Sequence, residues 1–302
     1  MAELKLGFVG LGVMGGPMAR NLVKGGYPTR GFDTDASRLQ RFTAAGGVAA
    51  ASAGEVGAAA DIVFLSLPTG DVVREVVTGA GGLLATMRSG TVIVDLSTTE
   101  PKVAQDAAAA CLPRGIVFLD SPVSGGEQGA IDASLSIMVG GDAAAFARCK
   151  PILACIGKSV VHMGGSGLGQ ATKLINNMIV AAGFAAVCEA WGLGARAGLD
   201  PAKLHEAIRG GWAGSRVMEE TVPRLLQRNF VPGGSVDIIT KDVGYALNMA
   251  RTLNTPVPVT ALAHELFRMA KAQGHGGEAQ PVLITLWEQW TGTKVGGEPR
   301  EK

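Results

Sequence analysis

The chain has 302 residues, of which 47% are hydrophobic, and its formal net charge is +1. This length suits two domains, and the composition excludes a disordered chain and an electrostatic binder of nucleic acid. Glu189 and Arg196 interrupt the longest apolar run, so we expect no run of the roughly 18 residues that a membrane span needs. We also expect no secretion leader, because the first residues lack a charged segment followed by an apolar one. We therefore expect a soluble, cytoplasmic protein with no membrane or nucleic-acid partner. Its four cysteines and four histidines lack the spacing of metal ligands, so we predict no metal site.

A glycine-rich turn follows the first predicted strand. The apolar segment 4–9 leads into the GxGxxG pattern of Gly10–Gly15 and then into a predicted helix over 17–24. The first glycine permits a tight turn, the second lets the backbone approach a pyrophosphate, and the third lets helix and strand pack closely. An acidic residue ends the second strand at the spacing of a ribose-binding group. These features predict a dinucleotide site formed by Gly10, Gly12, Val13, Met14, Gly15 and Asp33.

Strands and helices continue to alternate beyond Asp33, which predicts a doubly wound parallel sheet of the Rossmann type. The predicted elements are a helix over 36–45, a strand over 62–67, a helix over 71–77 and a strand over 92–96. Ligands bind beyond the carboxyl ends of such strands. We therefore expect the loops at Leu67–Pro68 and Ser97–Thr99 to line the nicotinamide half of the cofactor. Ordinary turn and N-cap chemistry is the alternative, which we favour for Thr99.

A third loop follows the predicted strand over 116–119. It runs from Asp120 to Gly126 and ends in Ser124, Gly125 and Gly126. Glycines leave consecutive N–H groups unshielded, and such groups bind anions, so a substrate carboxylate is the expected ligand. A purely conformational role of the glycines is the alternative. Strands over 135–139 and 159–162, with a helix over 143–154 between them, complete the predicted first domain.

The segment from Gly164 to Asn177 is rich in glycine and then becomes helical. Lys173, Asn176 and Asn177 are three or four residues apart, so one face of a helix presents three polar groups to a shared cavity. The run 178–188 is apolar on all sides, which predicts a buried helix. The alternative is that the lysine caps the helix or reaches solvent while the asparagines bind nearby backbone.

The second half of the chain predicts helices throughout. They are expected over 202–209, 217–227, 238–253, 259–273 and 282–290. We predict a dinucleotide-binding domain over 1–164, an all-α domain for substrate and oligomerisation over 165–295, and a flexible tail over 296–302. Residues 165–195 form the predicted interdomain helix. Helical halves this apolar often pack against another copy, so we expect a homodimer or homotetramer.

Four blocks of sequence together resemble the β-hydroxyacid dehydrogenase family. They are 7–15 with Met18 and Asn21, 120–126, the pattern Gly167-x-Gly169-x-x-x-Lys173-x-x-Asn176-Asn177, and Lys241-Asp242. The resemblance implies a Rossmann domain, an all-α domain and an NAD(P)-dependent oxidoreductase acting on a small carboxylate. A non-catalytic nucleotide sensor and an imine reductase of related architecture are the rivals. The intact Lys173 and Ser-Gly-Gly blocks argue against the sensor. The resemblance implies that an imine reductase would have replaced the catalytic lysine, so the retained Lys173 argues against that rival.

The resemblance also assigns roles. Lys173 matches the family's acid/base, Asn177 matches its substrate asparagine, and Asn176 is a neighbour that some members use instead. Ser124, Gly125 and Gly126 match the loop for the substrate carboxylate. Thr98 and Lys241 match cofactor contacts. Asparagine at 176, where 6-phosphogluconate dehydrogenases carry histidine, argues against oxidative decarboxylation.

Within the family, residues 127–132 and 208–215 are most similar to tartronate semialdehyde reductases (2-hydroxy-3-oxopropionate reductases). The expected reaction is reduction of tartronate semialdehyde to glycerate. The alternatives are 3-hydroxyisobutyrate oxidation and reduction of succinic or glyoxylic semialdehyde. Asp33 favours NAD(H), whereas the nearby Arg30 and Arg38 leave NADP(H) possible.

Overall fold

The computed structural model describes residues 4–297, so 298–302 of the predicted tail lie outside the described residues. The chain divides into two compact units, the first ending at Leu174 and the second beginning at Ile175. The boundary predicted after residue 164 remains a prediction about domain function. Each unit is described by itself below.

A nine-stranded sheet forms the centre of the first unit in the described part of the chain. Its strands are β1 (Leu6–Val9), β2 (Thr29–Phe32), β3 (Val48–Ala49), β4 (Ile62–Leu65), β5 (Val92–Asp95), β6 (Val117–Asp120), β7 (Val123–Ser124), β8 (Leu135–Gly140) and β9 (Gly157–Gly164). The order is β3-β2-β1-β4-β5-β6-β8-β7, with β9 pairing β8. Strands β1 to β6 pair in parallel, whereas β8 is antiparallel to β6 and β7. The predicted α/β fold with a parallel central sheet is confirmed.

Helices surround this sheet in the first unit. They are α1 (Gly15–Lys24), α2 (Ala36–Thr43), α3 (Ala53–Ala59), α4 (Gly70–Thr78), α5 (Leu83–Thr86), α6 (Pro101–Cys111), α7 (Gly126–Ile131) and α8 (Ala143–Leu153). Phe8 and Phe64 are register neighbours in β1 and β4 and belong to one apolar core. Val9 and Leu65, one position further, belong to a second core. Alternate residues therefore point to opposite faces, which explains why these short strands are apolar throughout.

The second unit is helical, as predicted. Its helices are the greater part of α9 (Leu168–Arg196), then α10 (Pro201–Ile208), α11 (Arg216–Gln227), α12 (Val236–Thr252), α13 (Pro258–Ala270) and α14 (Ile284–Thr291). A π-helical turn over Lys271–His275 extends α13 and bends at Gly274, whose φ is +93°. Trp191, Phe267 and Trp287 belong to the apolar core of this unit.

Helix α9 is the longest element, with 29 residues. An 18-residue window within it has a mean hydropathy of 1.6, so the helix is long and apolar enough to cross a membrane by length and composition alone. The expectation that no run reaches this length is therefore wrong. The protein buries 44% of that window. Core helices of soluble proteins also pass this test of length and composition, so the helix is weak evidence for a membrane span.

Several elements escaped prediction because their sequences are small or weakly patterned. Helix α3 consists largely of alanine and glycine, α6 contains a run of four alanines, and β3 has only two residues. Thr99 is not the N-cap of α6, because Glu100 occupies that position and the N–H of Thr99 donates to a distant side chain. The predicted N-cap role of Thr99 is thus wrong.

The four cysteines are free thiols, and three of them are buried. Burial raises the pKa of the Cys111 and Cys149 thiols to about 12. They pack as small apolar residues, as the sequence predicts. Among residues 4–297, no group of three His, Cys, Asp or Glu side chains is placed to hold a metal ion.

Candidate functional site

The turn between β1 and α1 requires two of its three glycines for steric reasons. A Cβ atom on Gly10 would lie 2.2 Å from the carbonyl oxygen of Ser66, and one on Gly15 would lie 1.9 Å from the carbonyl oxygen of Gly10. Gly10 also has a φ of +92°. A Cβ atom on Gly12 would meet nothing closer than the Arg38 guanidinium at 3.6 Å. The backbone at Gly12 is therefore open to a ligand.

Asp33 binds the glycine-rich turn itself. Its Oδ2 accepts a hydrogen bond from the N–H of Leu11 at 2.6 Å, and its Oδ1 accepts one from the N–H of Asp35 at 2.8 Å. The Arg38 guanidinium lies 3.6 Å from Asp33 Oδ1 and 3.4 Å from Asp35 Oδ2. Arg30 instead pairs with Glu55. The carboxylates of Asp33 and Asp35 thus both pair with Arg38, whose guanidinium is the group nearest to a Cβ atom on Gly12.

These residues fit a dinucleotide. The open Gly12, the exposed Val13 and the half-buried Met14 directly precede the first N–H groups of α1. Met14 at the N-cap provides no side-chain hydrogen bond to those groups. A helix start of this kind attracts a phosphate through its N–H donors and its dipole.

The two strand-end loops beyond β4 and β5 are joined to each other. The N–H of Leu67 donates to the hydroxyl oxygen of Ser97 at 2.9 Å. Pro68 is exposed, and Thr98 is half-buried in the loop that follows β5. The structure therefore brings Leu67 and the loop of Thr98 together, as the sheet topology predicted.

The loop of Ser124, Gly125 and Gly126 links β7 to α7. Gly125 has a φ of +139° and Gly126 a φ of +67°, and a Cβ atom on Gly126 would meet nothing within 4 Å. Both glycines are exposed. Asn21 on α1 holds α7, the helix that follows this loop, because its amide donates to the carbonyl of Ala130 at 2.8 Å.

The carboxylate of Asp120 caps the start of α9, the helix that carries Lys173. Its Oδ1 accepts from the N–H of Gly167 at 2.8 Å, and its Oδ2 accepts from the N–H of Gln170 at 2.9 Å. A Cβ atom on Gly169 would lie 2.4 Å from the carbonyl oxygen of Met138, so this glycine lets the helix approach the sheet. Lys173, one helical turn after Gln170, is 9% exposed. The helix start is therefore fixed to β6 immediately before the lysine.

Burial raises the pKa of the Asp120 carboxyl, although the N–H groups of Gly167 and Gln170 oppose the shift. Asp95 is its register neighbour on β5. Burial, with a smaller contribution from Asp120, raises the pKa of Asp95 to about 7. Two carboxyl groups thus lie side by side beneath the loops described above.

The second unit contributes a chain of polar contacts. Asn176 Nδ2 donates to Asn177 Oδ1 at 2.9 Å, and Asn177 Nδ2 donates to Asp242 Oδ2 at 2.8 Å. The Lys241 ammonium lies 2.9 Å from Asp242 Oδ1 and 4.9 Å from the centre of the Tyr245 ring. Asn177 is 6% exposed and Asp242 is 3% exposed. The asparagine amide therefore has a fixed orientation.

Sequence reasoning gave no role to Asp120, Gln170 or Asp242. Asp120 and Asp242 lie inside the four blocks that carry the family resemblance, and Gln170 lies between the glycines and the lysine. That position is the signal that could have identified them. Their partners are 47 to 73 residues away in sequence, so their contacts follow from tertiary structure alone.

Comparisons with known proteins agree with this geometry. Residues 5–165 match the family described as the NAD-binding domain of 6-phosphogluconate dehydrogenase. Residues 167–287 match the family described as the NAD-binding region of NADP-dependent 3-hydroxyisobutyrate dehydrogenase.

Individual proteins resemble the chain over nearly its whole length. A 2-(hydroxymethyl)glutarate dehydrogenase of Eubacterium barkeri is 39% identical, covering 98% of each chain. A 2-hydroxy-3-oxopropionate reductase of Escherichia coli (strain K12) is 40% identical over 97% of this chain and 100% of that protein. The solved structure of Mycobacterium tuberculosis 3-hydroxyisobutyrate dehydrogenase with L-serine has a TM-score of 0.87 and 33% identity, covering 94% of this chain and 99% of that one. The chain therefore belongs to the β-hydroxyacid dehydrogenase family and is an NAD(P)-dependent oxidoreductase.

Proposed function

We propose that this enzyme interconverts a small β-hydroxy acid and its semialdehyde, with Lys173 as the general acid and base. The observation that carries the proposal is the buried Lys173, which follows a helix start fixed by Asp120. The bound nicotinamide supplies or accepts the hydride. Lys173 gives a proton to the carbonyl oxygen during reduction and takes it back from the hydroxyl during oxidation. The oxidative direction requires a lysine without its proton, and burial or a nearby cation is the kind of environment that favours that form.

Asn177 is the proposed partner of the reacting oxygen. It lies one helical turn beyond Lys173 on α9, so both side chains share a face of the helix. Its Nδ2 already donates one hydrogen to Asp242 and retains a second for the substrate. Asp242 thereby sets which end of the amide faces the substrate, and Asn176 supports the other end. The neighbouring Asn176 is the less buried of the two and is the alternative substrate contact.

Ser124, Gly125 and Gly126 are the proposed site for the substrate carboxylate. Their supporting feature is the exposed, left-handed conformation of the two glycines, which leaves N–H groups accessible. Neutral donors of this kind suit one carboxylate. A longer or phosphorylated acid needs additional cationic groups, so the proposed substrate has three or four carbons.

The proposed cofactor contacts follow the turn and the strand ends. They are Gly10, Gly12, Val13, Met14, Gly15 and Asp33 at the first turn, Leu67, Pro68 and Thr98 at the nicotinamide side, and Lys241. Asp33 and Asp35 place negative charge where a 2′-phosphate would lie, and Arg38 is engaged with both. We therefore propose NAD(H) as the preferred cofactor.

The first choice of substrate is tartronate semialdehyde, reduced to glycerate. The 40% identical reductase supports this choice, but the 39% identical relative is named for a dicarboxylic acid. The test compares kcat/KM for tartronate, succinic, methylmalonate and glyoxylic semialdehydes with 2-(hydroxymethyl)glutarate and 6-phosphogluconate. We expect tartronate semialdehyde to give the highest value. Strong activity on the phosphorylated acid, or equal activity on a semialdehyde methyl ester, would contradict the carboxylate site.

Self-association is part of the proposal. Ile175, Ile179 and Leu193 on α9 are 51%, 68% and 69% exposed and share one face of the helix. Contiguous exposed apolar side chains favour burial against another copy. Sedimentation velocity at micromolar concentration is expected to show a dimer or tetramer, which Ile179→Asp weakens. A monomer for the unmodified chain would contradict this expectation.

A further inference from the structure

The side chain of Gln170 is completely buried and uses both ends of its amide. Its Nε2 donates to the carbonyl oxygen of Ser97 at 2.8 Å, and its Oε1 accepts from the N–H of Thr99 at 3.0 Å. These two backbone groups flank Thr98 on either side. One side chain therefore fixes the backbone around the proposed cofactor contact Thr98.

Other contacts extend this connection. The hydroxyl oxygen of Ser97 accepts from the N–H of Leu67, and the N–H of Gln170 donates to Asp120 Oδ2. Gln170 and Lys173 are three residues apart on α9 and are neighbours on one face. The loops of Leu67 and Thr98 are thus linked to the lysine-bearing turn through the Gln170 amide.

We propose that Gln170 is a positioning residue that holds the Thr98 loop at a fixed distance from the helix turn bearing Lys173. The inference rests on the proposed function, because it takes Lys173 as the acid/base and Thr98 as a cofactor contact. The position requires a side chain that donates to the Ser97 carbonyl and accepts from the Thr99 N–H, and only glutamine offers both groups at this side-chain length. Asparagine is one methylene shorter, ionised glutamate only accepts hydrogen bonds, and methionine of similar length offers neither a donor nor a comparable acceptor.

The first test needs no cofactor. Hydrogen exchange is measured by mass spectrometry on the free protein for the unmodified chain, Gln170→Met and the matched control Gln40→Met, which alters an exposed glutamine on α2. Loss of the Oε1 acceptor frees the N–H of Thr99, so Gln170→Met is expected to speed exchange in 97–99 at least tenfold. Unchanged exchange in 97–99 would overturn the inference.

The second test separates positioning from binding. A small displacement between reacting groups lowers turnover by about 10- to 100-fold. Gln170→Met is expected to lower kcat by that amount while the NADH dissociation constant changes less than threefold. Gln40→Met is expected to leave both unchanged. Wild-type kcat in Gln170→Met would overturn the inference.

A conservative variant provides a rescue. Protonated glutamic acid has a donor and an acceptor, as glutamine does, whereas ionised glutamate cannot donate to the Ser97 carbonyl. The kcat of Gln170→Glu, divided by that of the unmodified enzyme, is therefore expected to rise as pH falls. Asp95, Asp120 and Lys173 lie near this position in both proteins, so dividing by the kcat of the unmodified enzyme removes the pH dependence that the two proteins share. Infrared spectra of the carboxyl stretch report when the introduced carboxyl ionises. A ratio that stays constant through that ionisation would overturn the inference even if Gln170→Met fails to fold.

Lys173→Ala distinguishes the two proposals. If Gln170 acts through Lys173, adding Gln170→Met to Lys173→Ala lowers kcat by less than threefold more. Full activity of Lys173→Ala would refute the proposed function. Loss of activity in Lys173→Ala, together with a further 10- to 100-fold loss in the double variant, would refute the positioning role alone.

Discussion

Two glycine-rich segments of this protein each lead into a helix, yet they prepare the helix start for different partners. Gly10–Gly15 precedes α1 and leaves Gly12 open above N–H groups that have no side-chain cap at Met14. Gly164–Gly169 precedes α9, where the Asp120 carboxyl already occupies two N–H groups. A similar sequence signal therefore marks a sterically open turn in one case and an internally closed turn in the other.

The difference has a simple physical origin. Both helix starts offer N–H donors that have no partner within the helix, together with the positive end of a dipole, so both attract an acceptor. At α9 the acceptor is a side chain from β6, and the turn becomes rigid. At α1 we propose that the acceptor is the pyrophosphate of the cofactor, which must bind and leave.

Substitutions within the first turn give the largest expected effect. Gly15→Ala places a Cβ atom against the carbonyl oxygen of Gly10, at 1.9 Å before relaxation, so we expect a loss of about 3 kcal/mol or more. Gly12→Ala meets no such obstacle, and its stability should change by less than about 1 kcal/mol. Thermal melting of both variants tests this contrast. Equal destabilisation of the two variants would mean that Gly12 is as sterically constrained as Gly15.

Asp120→Asn weakens the internal closure of the second turn. An amide has one oxygen, so its NH₂ group must face one of the N–H donors of Gly167 and Gln170. The expected loss is about 2 kcal/mol, or roughly 4–8 °C in Tm, with a lower kcat. Asp106→Asn on the exposed side of α6 is the matched control. A Tm within one degree of the unmodified protein would exclude Asp120 as the anchor.

Asp95, the register neighbour of the Asp120 that caps α9, makes the stability of the protein depend on pH. Burial raises its pKa in the folded protein from 3.8 to about 7, so the folded state retains a proton that the unfolded state loses. Stability from this group is complete below pH 3.8 and is lost as pH rises towards 7. Asp95→Asn removes this loss, so its stability relative to the unmodified protein should increase by roughly 2–3 kcal/mol between pH 5 and 8. Urea unfolding at both pH values measures it, and a constant difference would contradict the raised pKa.

The preference for NADH over NADPH, measured as kcat/KM, is the smallest effect that we expect. The carboxylates of Asp33 and Asp35 beside the first turn repel a 2′-phosphate, while Arg38 pairs with both. We expect kcat/KM to be about tenfold higher with NADH than with NADPH, a difference of about 1.4 kcal/mol. Steady-state assays with both cofactors decide it. A tenfold advantage for NADPH would show that Arg38 leaves the carboxylates and binds the phosphate.

The sequence was sufficient to predict those features that depend only on residues close together in the chain. The glycine turn, the acidic end of β2 and the buried strands depend on steric fit and periodicity over a few residues. The sheet topology then predicts that Leu67 and the Ser97–Thr99 loop meet, as they do. The expected roles of Lys173 and Asn177 came from the family resemblance, and they remain proposals.

Other features could not be derived from local pattern. The partners of Gln170 lie in another loop, and Asp242 binds an asparagine 65 residues earlier. Small-residue helices such as α3 and α6 carry weak periodicity, because alanine and glycine suit both buried and exposed positions. Asp33 was expected to serve the ribose, and that role remains a proposal. The structure shows that its carboxylate holds the turn through the N–H of Leu11.

The most direct test is to measure NADH affinity and turnover together for Gly12→Ala and Lys173→Ala. Fluorescence titration gives the dissociation constant, and the nicotinamide absorbance gives kcat. We expect Gly12→Ala to weaken NADH binding at least tenfold. Lys173→Ala should bind NADH within threefold of the unmodified enzyme and lose about 10²- to 10⁴-fold in kcat. Wild-type NADH affinity in Gly12→Ala, or more than a tenth of wild-type kcat in Lys173→Ala, would contradict the division of roles between the two turns.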